Sequence, residues 1–149
     1  MKNFYLKNIT NQINILNQID IKQLDQFQRI ISGVSKKGGK VIIVGNGGSA
    51  ATASHVAVDL SLNSKIRAIN FNESDLITCF ANDFGYDQIF SRQCEAYGQE
   101  NDVLIGLSTS GNSSNITNAF IQAKKMNVKT IAFLGKTGGS IKGLADLEF

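Results

Sequence analysis

Two turns rich in glycine and hydroxyl groups hold most of the side chains in this sequence that could do chemistry. The first, Gly45-Asn46-Gly47-Gly48-Ser49-Ala50, follows the apolar run Val41 to Val44. The second, Ser108-Thr109-Ser110-Gly111-Asn112-Ser113, follows Val103 to Leu107. Each leads into residues of helical character. A strand that ends in a turn before a helix leaves backbone N–H groups unpaired at the positive end of the helix dipole, which suits an anion. Hydroxyls at Ser49, Ser108, Thr109, Ser110 and Ser113 add donors, so a phosphate ester can be held without lysine or metal. One such cluster is equally well an ordinary loop with an N-cap. Two of them, both after strands, favour a phosphorylated ligand held between them.

His55, the sole histidine, and Asp59 lie four apart on the helix that opens at the first turn, so they share a face. The pair could bind a divalent metal, although two ligands leave a site incomplete. Asp59 could instead act as a general base. Asn82-Asp83 adds a carboxamide and a carboxylate that suit the hydroxyls of a polyol, or simply end a helix before Phe84-Gly85. Two other chemistries fit poorly. The first turn matches the dinucleotide pattern G-x-G-x-x-[GA] only loosely, and no acidic residue ends the next strand to read a ribose. The second turn lacks the lysine of a P-loop.

These groups need a frame. Apolar runs at 41–44, 66–71, 103–107, 129–134 and from Leu147 read as strands, with helical stretches between them at 49–62, 75–81, 86–98 and 113–126. That alternation indicates a parallel sheet covered on both faces, whose ligands sit beyond the carboxyl ends of the strands. Residues 1–37 read as N-terminal helices, with Ile9, Ile13, Leu16, Leu24, Phe27, Ile30, Ile31 and Val34 on an apolar stripe. Asp20 followed by Gln23 resembles a capping box where two helices meet. The stripe either packs on the core or forms a subunit interface.

A chain of 149 residues without proline or a low-complexity linker is expected to form one domain. The net charge of +3, carried by scattered lysines, gives no reason to expect nucleic acid as a partner. No apolar run approaches the ~20 residues of a membrane span, and residues 1–4 lack a signal-peptide core. Cys79 and Cys94 have no metal-type spacing and read as buried free thiols of a cytoplasmic protein. In that compartment the glycosylation-type triplet Asn115-Ile116-Thr117 has no meaning.

Taken in order, several segments resemble the phosphoheptose isomerase branch of the sugar isomerase (SIS) domain family. They are Gly45 to Ala51, His55, Ala81-Asn82-Asp83-Phe84-Gly85-Tyr86, Phe90-Ser91-Arg92-Gln93, Ser108 to Ser113 and Leu134-Gly135-Lys136-Thr137-Gly138-Gly139. The resemblance implies a flavodoxin-like α/β fold: a five-stranded parallel sheet in three layers, assembled as a homotetramer with sites at subunit interfaces. It implies aldose–ketose isomerisation of sedoheptulose 7-phosphate to D-glycero-D-manno-heptose 7-phosphate through an enediolate, for heptose of lipopolysaccharide or capsule. The family's substrate contacts fall on Asn46, Gly47, Gly48, Ser49, Asp59, Asn82, Asp83, Ser108, Thr109, Ser110 and Ser113. A zinc ligand falls on His55, and the family's glutamate, both metal ligand and base, falls on Asp59.

There are two departures from that pattern. Asp59 is one methylene shorter than the glutamate, and misplacement by about 1 Å can cost on the order of 100-fold in rate. The loop Ser61 to Lys65 is also short, and both features resemble a sister branch found with surface-polysaccharide genes. The family's final helix, with a glutamine metal ligand and a histidine acid/base, has no counterpart in residues 1–149. This combination is expected either in part of a longer enzyme or in a non-catalytic sugar-phosphate binder, a class that includes regulators and a replication-initiator-binding type.

Overall fold

The computed structural model describes residues 2–149. Two helices, α1 (Lys2–Asn17) and α2 (Ile21–Lys36), precede an alternating series: β1 (Val41–Gly45), α3 (Gly48–Leu62), β2 (Ala68–Asn70), α4 (Ser74–Phe84), α5 (Ile89–Tyr97), β3 (Val103–Ser108), α6 (Ser114–Lys125), β4 (Lys129–Leu134) and β5 (Leu147–Glu148). Short 3₁₀ turns occupy Tyr86–Gln88 and Gly139–Ile141. The strands form one parallel sheet in the order β2-β1-β3-β4-β5. Every residue of β1 is buried, as continuous Val/Ile runs demand when helices cover both faces.

Alternate strand residues serve opposite layers. Val41, Ile43, Val103 and Ile105 pack with Ile31 and Val34 of α2 and with Ala53 and Ala57 of α3. Ile42, Val44 and Leu104 pack on the other face with Ile89, Phe90 and Cys94 of α5 and with Ile116 and Phe120 of α6. At the amino edge of the sheet, buried Asp102 pairs with Lys40 Nζ and accepts the N–H groups of Lys40 and Gln99, both at 2.8 Å. That set of partners satisfies a charge that would otherwise be costly to bury.

The expected elements form with shifted ends. The 66–71 strand contracts to Ala68–Asn70, because Ile66 N–H bonds back to Leu60 O and Asn70 Oδ1 takes the N–H of Asn72. Helix 75–81 lengthens to Ser74–Phe84, where Gly85 at φ +91° stops it. Helix 86–98 divides into the 3₁₀ turn and α5. Asp20 caps α2 by accepting the N–H of Lys22 at 2.8 Å.

The N-terminal apolar stripe splits in two. On α2, Ile31 and Val34 join the core. On α1, residues 3–17 are all exposed, including Ile9, Ile13 and Leu16. The two cysteines also part company. Cys94 is buried, and burial first, with Asp102 second, pushes its thiol up to about 11. Cys79 is exposed, contrary to expectation, because it lies on the outer side of α4, a helix with no fully buried residue.

Candidate functional site

β1 and β3 lie side by side, yet the helices that follow them go to opposite faces. This divergence opens a crevice beyond the strand ends, where ligands of such sheets bind. The parallel register, with Gly45 opposite Leu107, sets the two glycine- and hydroxyl-rich turns on either side of it.

In the first turn Gly47 has φ +54° and ψ −120°, a conformation that side-chain-bearing residues rarely adopt. The chain then enters α3 at Gly48, with Ser49 N–H donating to Asn46 O at 3.0 Å. The N–H groups of Asn46, Gly47 and Gly48 find no partner among the described residues. They form an open row of donors at the positive end of α3.

The second turn is folded on itself. Ser108, which is buried, accepts Gly111 N–H on its hydroxyl at 3.0 Å, and Ser110 accepts Asn112 N–H at 3.2 Å. A hydroxyl that accepts in this way keeps its own proton to donate. Ser113 stands at the N-cap of α6 without making a cap bond, so its hydroxyl is free, and Thr109 is exposed. Gly111 has φ +67°, and a Cβ there would collide with the backbone of Gly138. Gly111 O accepts Ile141 N–H at 3.0 Å and Ser140 Oγ–H at 3.2 Å, while Asn112 Oδ1 accepts Ser140 N–H at 2.9 Å. The loop after β4 thus braces the turn after β3.

A side-chain pair links the two turns. Asn46 Nδ2 donates to Asn115 Oδ1, and Asn115 Nδ2 donates to Asn46 Oδ1, both at 2.9 Å. Tyr86 OH donates to the same Asn46 Oδ1 at 3.2 Å. The Asn46 amide, expected to face a ligand, is therefore occupied by protein, and its backbone N–H is the part left open. Tyr86 follows closely on Asn82 and Asp83, which lie exposed in the last turn of α4 with Asn82 Nδ2 donating to Asp83 Oδ1 at 2.9 Å. The Tyr86 bond fastens that segment to the first turn. Sequence reasoning missed both Asn115 and Tyr86 as working residues.

His55 and Asp59 stand apart from this cluster. They come seven and eleven residues after Gly48, so about 10 and 16 Å along the axis of α3. Their side chains are 79% and 52% exposed, with His55 Nε2 3.5 Å from Asp59 Oδ2. Asp59 Oδ1 also accepts Asn63 Nδ2 at 3.1 Å. Zinc needs three or four protein donors. Among the described residues no three His, Cys, Asp or Glu side chains gather to hold a metal. A zinc ion does not fit the described residues of one chain. An open, largely apolar groove of about 690 Å³ flanks this part of α3, between α3, β2 and α4, with Val58, Leu62, Ile69 and Leu76 on its walls.

Comparison with known proteins agrees with this layout. A family model described as SIS domain matches residues 4–135. The chain belongs to the SIS domain family. This SIS domain is 48% identical over 128 residues to a phosphoheptose isomerase of Pelodictyon phaeoclathratiforme, an alignment covering 80% of the chain and 61% of that protein. It is 46% identical over 128 residues to one of Chlorobium phaeobacteroides, covering 80% of the chain and 57% of that protein. The SIS domain thus spans about three-fifths of the length of these relatives. The solved phosphoheptose isomerase of Neisseria gonorrhoeae superposes with a TM-score of 0.87 at 29% identity, covering 99% of the chain and 84% of that structure. No helix among the described residues is long and apolar enough to cross a membrane.

Proposed function

We propose that the whole protein is a sugar-phosphate isomerase that interconverts sedoheptulose 7-phosphate and D-glycero-D-manno-heptose 7-phosphate, supplying heptose for surface polysaccharide. One observation carries the reading. Two turns of free N–H groups and hydroxyls face each other across the β1/β3 crevice, in a chain 48% identical to a phosphoheptose isomerase.

The chemistry of the substrate fits the separation of the groups. In an open-chain heptulose 7-phosphate the phosphate and the C1–C2 unit lie at opposite ends. Phosphate takes the hydroxyls of Ser108, Thr109, Ser110 and Ser113 with Ser49, and the sugar lies over Asn46-Gly47-Gly48 towards Asn82 and Asp83. The base therefore belongs well away from the second turn. Asp59, on the helix that opens at the first turn, fills that role. Its carboxylate takes a proton from C1 of the ketose, the electron pair moves to the C2 carbonyl oxygen as an enediolate, and the same carboxyl returns the proton to C2. A further acid/base moves the proton between the two oxygens. His55 and Asp59 can give two donors to a zinc ion whose other donors lie outside the described residues of one chain.

A homotetramer is the assembly we propose, working in the cytoplasm. The exposed apolar side of α1 supports it. The test is a coupled assay with sedoheptulose 7-phosphate beside ligand-dependent thermal stabilisation. Turnover supports the isomerase. The absence of both turnover and binding would sink it. Binding without turnover would favour a second reading, a non-catalytic sugar-phosphate binder. The observation behind that alternative is that one chain assembles the phosphate turns but leaves His55 and Asp59 on an open helix face.

A further inference from the structure

Tyr86 fastens the segment after α4 to the first turn. Tyr86 is 58% exposed, but its hydroxyl is spent on Asn46 Oδ1 at 3.2 Å. The direction of that bond decides what else the hydroxyl can do. An amide pair such as Asn46–Asn115 could in principle be turned over as a unit, which would make Tyr86 the acceptor.

One backbone group prevents this. Ile116 N–H, shared between Ser113 O at 3.1 Å and Asn115 Oδ1 at 3.0 Å, sets the Asn115 oxygen on that side. Turning the amide over would set its NH₂ against the Ile116 N–H, donor against donor. With Asn115 Oδ1 fixed, Asn46 must present Nδ2 to it and Oδ1 to Asn115 Nδ2. The Asn46 oxygen then meets Tyr86, and the phenol must donate. Asn115 is only 1% exposed, so its amide is held away from bulk water, while the Tyr86 bond lies at the exposed end of the set.

A phenol has one proton. With it committed to Asn46, the remaining capacity of the Tyr86 oxygen is acceptance alone. It sits at the rim of the crevice, one side chain from the open N–H row of Asn46-Gly47-Gly48. A phosphate dianion has no proton to offer there, whereas a sugar hydroxyl does. We infer that Tyr86 is a further ligand residue, whose oxygen accepts a hydroxyl proton from the polyol part of the substrate while Asn46 and Asn115 hold it in the accepting state. This rests on the sugar-phosphate reading of the crevice.

The experiment compares two probes, sedoheptulose 7-phosphate and inorganic phosphate, on wild-type and Tyr86→Phe protein, by ligand-dependent thermal stabilisation and calorimetry. Phenylalanine keeps the ring and removes only the hydroxyl. Losing one neutral hydrogen bond weakens binding by about fivefold. The expected result is that loss for sedoheptulose 7-phosphate, with the dissociation constant of inorganic phosphate unchanged within twofold. Unchanged sugar-phosphate affinity overturns the inference, as does an equal loss for both probes, which would mean that the crevice as a whole had loosened. The two readings fail at different points. Wild-type protein that binds neither probe overturns the sugar-phosphate reading and this inference with it. A wild type that binds both, beside a Tyr86→Phe protein that matches it, overturns the inference alone.

Discussion

The crevice at the ends of β1 and β3 and the outer face of α3 are joined by one helix, yet they are built in opposite ways. The crevice turns are cross-tied: Asn46 to Asn115, Tyr86 to Asn46, Gly111 to Ser140 and Ile141. His55 and Asp59 touch each other and Asn63, and otherwise face solvent. The groups proposed to bind are thus fixed by the fold of a single chain. The proposed base, Asp59, and His55 beside it are displayed on its surface. The proposed recognition site is thus tied within one chain, and the proposed base is not.

Substitutions can break that comparison. The largest effect is expected from Asp59→Asn. If Asp59 is the base, kcat for sedoheptulose 7-phosphate falls by roughly 10²–10⁴, the usual worth of a general base, while ligand-dependent thermal stabilisation is kept. Loss of binding together with rate would place Asp59 in the recognition half instead. Gly111→Ala comes next. A side chain in the left-handed region, set against the Gly138 backbone, should destabilise the fold by about 2–5 kcal/mol in urea unfolding. It should also abolish phosphate binding at temperatures where the variant is still folded. Asn115→Ala strips the Asn46 amide of its buried partner and should cost about 1–3 kcal/mol. A fully stable Asn115→Ala variant would refute the cross-tie. His55→Ala should be the quietest, changing the stability of the single chain by less than about 0.5 kcal/mol, as for exposed side chains generally.

Much of this was legible in the sequence, and the limits have a physical cause. The strands, the turns that follow them and the start of α3 are local matters of apolar runs, glycine and hydroxyl residues, and they form where expected. The placement of both turns at the crevice also followed, because alternating strands and helices leave little choice of sheet edge. The tie between Asn46 and Asn115 spans 69 residues and depends on the register of β1 against β3, for which no local pattern exists. Asn115 carried only a glycosylation-type triplet as its mark. Spacing put His55 and Asp59 on one face of α3, but it could not say that the face points outward, since that depends on where Ala53 and Ala57 enter the core. The exposure of Cys79 and the split between α1 and α2 have the same origin. Periodicity identifies an apolar side without saying which neighbour covers it.

The solitary state of α1 has a thermodynamic consequence. A helix of 16 residues in which positions 3–17 are all exposed is near the lower limit of what water tolerates, because nucleation is costly and few turns are present to offset it. In the proposed homotetramer its helicity would draw on contact with a neighbouring copy. Diluting the protein should melt this segment before the sheet is disturbed, and far-ultraviolet circular dichroism should show a loss of helix that depends on protein concentration rather than on temperature alone.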